Sequence, residues 1–420
     1  EHLSARVRKG AQQNAKRLIS QKAYRLNRPA RNTGRQGGVK VTSQRQGRLR
    51  TKEGLGLTDS AVVNEELVDR AGSIRTGEEL DLDTLRQYLE PVLGTKVAHL
   101  EVKQFPGGFS NLTYLLTSGD ERWVLRRPPF GSKVKSAHDM SREFKILSAL
   151  QNVFPYGPKP VHFCDDQDVL GCDFYLMSYI EGLVIRREYP EALNFSPDQI
   201  REQLFNFFDV LSELHSVDLV EAGLDTFGRP EGYVQRQIDG WCKRWVDAVT
   251  PDTVNCDSTM QWLQDNMPAE SGKASVIHND YKTDNVIFSL ENPMQVIGIL
   301  DWEMATVGDP LMDLGCTLGY WTQMDDPEFF RQYRTMPSDV PGAPTRAEIV
   351  NRFQEKTGLP VDNFAFYFVF GLFRLGVIGQ QIYYRFYHGH TKDQRFAMMV
   401  KKTDVLQRMS EMIMRGEITS

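Results

Sequence analysis

Cysteine is scarce. The chain of 420 residues has five (Cys164, Cys172, Cys242, Cys256 and Cys316), an odd number with no C-x-x-C pair. That usage implies neither a disulfide framework nor a zinc site. With no secretory leader pattern, the expected compartment is reducing and the expected location cytoplasmic, with organelle targeting as the alternative. Long apolar runs are missing too. No stretch reaches the roughly 18 uninterrupted apolar residues of a membrane span. The nearest, FAFYFVFGLFRLGVIG from Phe364, carries Arg374 and predicts a buried helix. Acid is absent from one region: residues 1–52 hold 15 Lys or Arg against Glu1 alone, so the rest of the chain carries −19 against a whole-chain charge of −5. This head is also poor in aromatics and has no apolar period, so residues 1–60 are expected to be disordered. A transit segment, an arm for an anionic surface and a non-native extension all fit such a composition.

What is present is 40% hydrophobic and 25% charged, ordinary for a globular chain with a sizeable core. Leu82, Leu85, Leu89 and Leu93 recur at helical spacing. Three β-like runs follow, VAHLEVKQF, LTYLLT and RWVLRRP, the last two joined by a Gly-Asp turn. SAHDMSREFKILSAL then predicts a helix with Ser136 as its cap, and FYLMSYIEG ends at Gly182. Beyond it the pattern turns helical. A β-rich part over 75–182 and an α-rich part over 183–420 predict an α+β, two-lobed architecture with a linker near Tyr179 to Leu183.

The chemistry concentrates in VIHNDYKTDNVIF, residues 276–288, where two short apolar strands bracket His278, Asp280, Asp284 and Asn285. A third strand, VIGIL, leads into Asp301, and the spacing predicts that Asp280, Asn285 and Asp301 converge at the mouth of one small sheet. An amide and a carboxylate supply hard oxygen donors for Mg²⁺, and the other carboxylate remains for a substrate hydroxyl. A polar turn held by Asx-type bonds would explain the loop but not Asp301.

H-x-D-x-x-x-x-N followed by ILDWE resembles the aminoglycoside phosphotransferase and choline kinase family, small-molecule kinases that share the two-lobed protein-kinase-like fold. The resemblance runs from about residue 80 to 405. It implies ATP and Mg²⁺ as cofactors, Asp280 as the catalytic carboxylate with His278 bracing its loop, and Asn285 and Asp301 as metal ligands. It also implies a supporting role for Asp313 in GDPLMDLG. In the N-lobe it assigns Gly107, Gly108 and Ser110 of FPGGFSNL to the nucleotide phosphates, and Met177 and Tyr179 to the nucleotide at the linker. The family's phosphate-binding Lys or Arg falls on Arg126, since Val124 and Arg126 share a face of the strand and Arg127 lies one slip away. Glu143 would pair with it. A protein kinase is disfavoured because HND replaces H-R-D, DWE replaces D-F-G and no A-P-E segment follows. A nucleotide-binding pseudokinase conflicts with the intact Asp280, Asn285 and Asp301.

The aromatic clusters LGYW (318–321) and IYYRFYHGH (382–390) are candidates for cleft or core, and His215 for a packing role. Residues 331–420 hold 13 Lys or Arg against 8 acids, whereas 183–330 hold 9 against 26. A basic final segment fits an anionic acceptor better than choline or an aminoglycoside, whose cations need acids or aromatic cages. The wider motifs resemble the kinase domains allied to acyl-CoA dehydrogenases, which implies a small-molecule partner such as a 4-hydroxyacyl-CoA thioester. Neither a nucleic-acid partner nor a membrane span is expected.

Overall fold

Apolar residues on both faces of the strands between 101 and 178 require cover on both sides of one sheet, and two helices supply it. The computed structural model describes residues 68–106, 111–130, 139–269 and 272–418. The basic head and Gly107, Gly108, Ser110 and Ser136 lie outside the described residues. The N-lobe sheet is antiparallel in the order β1-β2-β3-β5-β4, built from β1 (Glu101–Gln104), β2 (Leu112–Ser118), β3 (Glu121–Arg127), β4 (Pro160–Cys164) and β5 (Phe174–Ser178). Ser118 faces Glu121 across a two-residue turn, with Gly119 at φ 60° supplying the left-handed backbone such a turn needs. Helix α1 (Leu82–Leu93), capped by Asp81, lays Leu85 and Leu89 on the outer face among Tyr114, Leu116, Leu125 and Leu176. Helix α2 (Met140–Leu150), capped by Asp139, joins Ile146 and Leu147 to Val124, Tyr175 and Met177 on the inner face.

Two expectations change here. Alternation predicts four of the five strands; β4 opens on a proline and slips register between Pro160 and His162, which blurs its period. The strand predicted from Val97 is shorter, because residues 94–99 wind as a 3₁₀ turn before β1.

The chain passes from β5 to the C-lobe through Tyr179–Gly182, and Leu183 bridges to Phe288. The C-lobe helices are α3 (Pro197–Leu214), α4 (Tyr233–Ala248), α5 (Asp257–Asp265), α6 (Pro310–Gly319), α7 (Arg346–Thr357), α8 (Phe364–Tyr387) and α9 (Met399–Met414), with the single-turn helix Glu328–Arg331 besides. Ser196 and Gln199 close a capping box at the start of α3. The short strands are β6 (Ser275–Ile277), β7 (Val286–Phe288), β8 (Val296–Ile299) and β9 (Thr306–Gly308). The one small sheet expected around the polar loop is in fact two ladders, β6 with β9 and β7 with β8. The eight-residue loop carries the chain from one buried ladder to the other, and β6 takes its partner from beyond Asp301. All these elements belong to one unit, Thr58–Ser420.

Helix α8 is long and apolar enough, by length and composition, to cross a membrane, but most of it is buried inside the protein. It crosses α6 backbone to backbone. A Cβ on Gly371 would lie 2.0 Å from the Gly315 carbonyl oxygen, and one on Gly315 2.3 Å from that of Tyr367. Gly371→Ala should therefore lower the unfolding free energy by about 1–3 kcal/mol, the range for overpacked cores. Urea denaturation measures this, and an unchanged midpoint would mean the helices part freely.

Candidate active site

The loop between β6 and β7 is held from beneath by one carboxylate. Asp313, on the first turn of α6, is fully buried and accepts the backbone N–H of His278 at 2.8 Å, that of Asn279 at 2.7 Å and His215 Nε2 at 2.9 Å. Burial pushes its pKa up, but the His215 hydrogen bond and charge, with His278, outweigh burial and hold it below the ordinary carboxylate value. His278, grouped with Asp280 at the sequence level, is itself fully buried. Its Nε2 meets the Leu300 carbonyl at 2.9 Å and its Nδ1 lies 3.2 Å from the Asp280 backbone nitrogen. It acts through the loop, so it is a positioning residue.

Asp280 emerges from this brace into a ring of donors. Tyr320 donates to Oδ1 at 2.7 Å, while Lys282 and Asn285 Nδ2 donate to Oδ2 at 2.8 and 2.9 Å. Burial raises the Asp280 pKa, and Lys282, Tyr320 and Arg374 more than reverse it, leaving it lowered and the group ionised at neutral pH. A carboxylate offers about four lone-pair positions. Three are taken, which leaves one for an acceptor hydroxyl.

Asn279 adopts φ 64°, a left-handed turn that sends its carbonyl toward Arg374 Nη2 at 2.7 Å. The lone charge noticed inside the apolar run of α8 is thus a brace for the same loop. Asp301 adopts φ 66° beyond β8.

Above the loop, the inner face of β3 carries Arg126. Its Nε lies 3.1 Å from Glu143 Oε2 of α2, an ion pair without hydrogen-bond alignment, and its Nη2 contacts Asp301 and, at 3.2 Å, Glu303. Burial opposes the guanidinium charge, but Glu143, Asp301 and Glu303 hold its pKa well above the ordinary value. Burial pushes Glu143 up against the pull of Arg126. Arg127 lies on the opposite face, 3.8 Å over the Phe130 ring. Asn111 Nδ2 donates to Glu303 at 2.7 Å, so the second acid of ILDWE ties the start of β2 to the site.

Arg126, Glu143, Met177, Tyr179, Asn285 and Asp301 line one cleft between the lobes, together with Val124, Ile287 and Leu300. Its apolar walls and few polar groups suit a flat ring bearing a charged tail. The donors at its C-lobe end are an amide and a carboxylate, hard oxygens that fit Mg²⁺. Among the described residues no three His, Cys, Asp or Glu side chains form a metal cage, so an ion held here would share its shell with substrate phosphates. Asp284 does not join this set. Its Oδ1 is buried without a hydrogen-bond partner, and burial raises its pKa.

Sequence reasoning missed Lys282, Asn111 and Glu303. It singled out Tyr320 only as one of an aromatic cluster; its neighbour Trp321 is core, and Tyr383 of the second cluster bonds Asp252.

Residues 101–349, more than half of the chain, match the phosphotransferase enzyme family. Acyl-CoA dehydrogenase family member 10 of Mus musculus is 32% identical over 341 residues, 80% of this chain and 31% of that protein. Family member 11 of Rattus norvegicus is 31% identical over 324 residues, 75% of this chain and 41% of its own length. The chain thus spans about a third to two fifths of these relatives. A putative aminoglycoside phosphotransferase from Ralstonia eutropha superposes with a TM-score of 0.69 at 28% identity, covering 80% of this chain and 99% of that one. Choline kinase from Cryptosporidium parvum shares the fold at a TM-score of 0.52 and 12% identity, over 80% and 97% of the two chains. The kinase-like lobes, the bracing of Asp280 within the C-lobe and the family match over the same residues agree: this chain belongs to the phosphotransferase enzyme family.

Proposed function

We propose that the chain transfers the γ-phosphoryl group of ATP to the hydroxyl of an anionic small molecule, with a 4-hydroxyacyl-CoA thioester as the first candidate. One observation carries the reading. Asn285 donates to Asp280 and also lines the cleft with Asp301, so the group that orients the acceptor and those that would hold the metal share a single side chain. In this scheme Asn285 and Asp301 would hold Mg²⁺, which would neutralise charge on the transferring phosphoryl group. Arg126, fixed by Glu143, presents a permanent cation to the nucleotide phosphates, where its fork clamps two oxygens. Met177 and Tyr179 enclose the base. Asp280, ionised and short of one hydrogen bond, orients the acceptor hydroxyl and receives its proton as the phosphorus–oxygen bond forms.

The acceptor class rests on the basic final segment and on the names of the relatives, acyl-CoA dehydrogenases. ADP release is expected to rise with a 4-hydroxyacyl-CoA and to change little with choline or kanamycin. A coupled assay over that panel decides: stimulation by choline or kanamycin alone rejects the acceptor and leaves the phosphotransferase intact.

A further inference from the structure

The C-lobe segment 183–330 has 26 acids and only 9 Lys or Arg, so its cations should be neutralised several times over. Three that are not lie together. Arg229, Arg236 and Arg244, with Arg142 from α2 and Arg374 from α8, line a cavity of about 320 Å³ to which no Asp or Glu contributes. Among the described residues none of the five makes an ion pair.

Four of the guanidinium groups are nevertheless held in place. Arg236 donates to the backbone carbonyls of Glu231 and Arg229. Arg142 Nη2 donates to Thr306 Oγ1 at 2.8 Å. Arg244 and Arg374 lie 4.7 and 5.1 Å from the Trp241 ring centroid. Arg374 is 2% exposed, and its Nη1 is buried with no hydrogen-bond partner. Neutral acceptors and a ring face orient these charges without cancelling them. Four oriented guanidiniums without an ion pair, with Arg229 beside them, are a preorganised site for phosphate oxygens.

The cavity also borders the loop that carries Asp280. Asn279, next in the chain to Asp280, forms part of its wall. We propose that this pocket binds phosphate groups carried by the acceptor itself, so that the acceptor is recognised by a phosphorylated handle away from the hydroxyl that reacts. A coenzyme A thioester has such a handle, and to that extent the inference rests on the acceptor proposed above. The cleft lined by Arg126 and Asp301 is separate and serves the donor nucleotide.

The exposed pair Arg236 and Arg244 is suited to the test, since neither touches the Asp280 loop. In the full chain with Mg²⁺ and ATP, Arg236→Gln with Arg244→Gln should raise KM for a 4-hydroxyacyl-CoA by roughly tenfold per arginine. The kcat and the KM for ATP should stay within about twofold. The matching pantetheine thioester, which lacks the phosphates, should show no shift between wild type and variant. Lysine at both positions should recover much of the loss, because it restores charge without the fork. An unchanged KM on the CoA thioester, or an equal rise on the pantetheine ester, overturns the pocket while leaving the acceptor in place. Should the wild type turn over no CoA thioester, calorimetry with free coenzyme A and with pyrophosphate decides separately. Binding lost in the glutamine pair supports the pocket and retires only the acceptor. Absence of binding, or binding of a single-stranded oligonucleotide in its stead, overturns the pocket.

Discussion

Asp280→Asn is expected to lower phosphoryl transfer to the acceptor by about 10²–10⁴-fold, the usual contribution of a positioned general base, with the dissociation constant for MgATP almost unchanged. The split follows from the geometry. Asparagine preserves volume and one acceptor oxygen, so the contacts from Tyr320, Lys282 and Asn285 are only partly disturbed. It cannot take a proton, and its amide nitrogen replaces one of the two oxygens that now accept from Tyr320, Lys282 and Asn285. The N-lobe wall of the nucleotide cleft, with Arg126, Met177 and Tyr179, does not contact Asp280. Single-turnover kinetics beside equilibrium nucleotide titration measures both arms. Transfer retained within tenfold would falsify the assignment of Asp280.

Asp313→Ala should cost about 3–5 kcal/mol of stability, as removing one partner of a buried pair does. Two backbone N–H groups of the catalytic loop and the His215 ring would lose their acceptor inside the core, and each orphaned donor carries its own desolvation penalty. Urea unfolding followed by circular dichroism reads the loss; a change below 1 kcal/mol would show that the loop finds other partners. The carboxylate also leaves a pH signature. Its folded pKa lies below the unfolded value near 3.8, so its stabilisation is complete above about pH 4–5. That stabilisation drains away as pH falls through the folded value. Asp313→Asn should flatten this acid limb relative to the wild type.

The reactive loop was legible in the sequence because its chemistry is local. Asp280 and Asn285 lie five residues apart in one loop, and Asp301 follows the second strand beyond it. Arg126 could be chosen over Arg127 because alternation fixes which side of a strand a residue occupies, and the register opposite Thr113 and Tyr175 places it on the inner face. What joins the loop to the rest could not be read that way. Glu303 meets Asn111 across 192 positions, and Arg374 meets Asn279 across 95; neither pairing leaves a local period. Two of these partners did leave a trace: Arg374 is a charge inside an apolar run, and Glu303 is an acid two residues from Asp301. The ladders around the loop were misjudged for a related reason. Three-residue strands are too short to name their partners, and β6 pairs with a strand about thirty residues away.

The crossing of α6 and α8 has a meaning beyond stability. Asp313 and Tyr320 reach the loop from α6 and its end, while Arg374 reaches it from α8. These three grips are spaced by a junction where main chain meets main chain, at Gly315 and Gly371. Side chains hop between rotamers and fill slack, whereas peptide planes in contact do neither. The junction therefore works as a fixed gauge block between two clamps. The alignment of Asp280 should drift less with temperature than the surfaces around it, and a single added methyl would be read out as a misaligned base before it was read out as an unfolded protein.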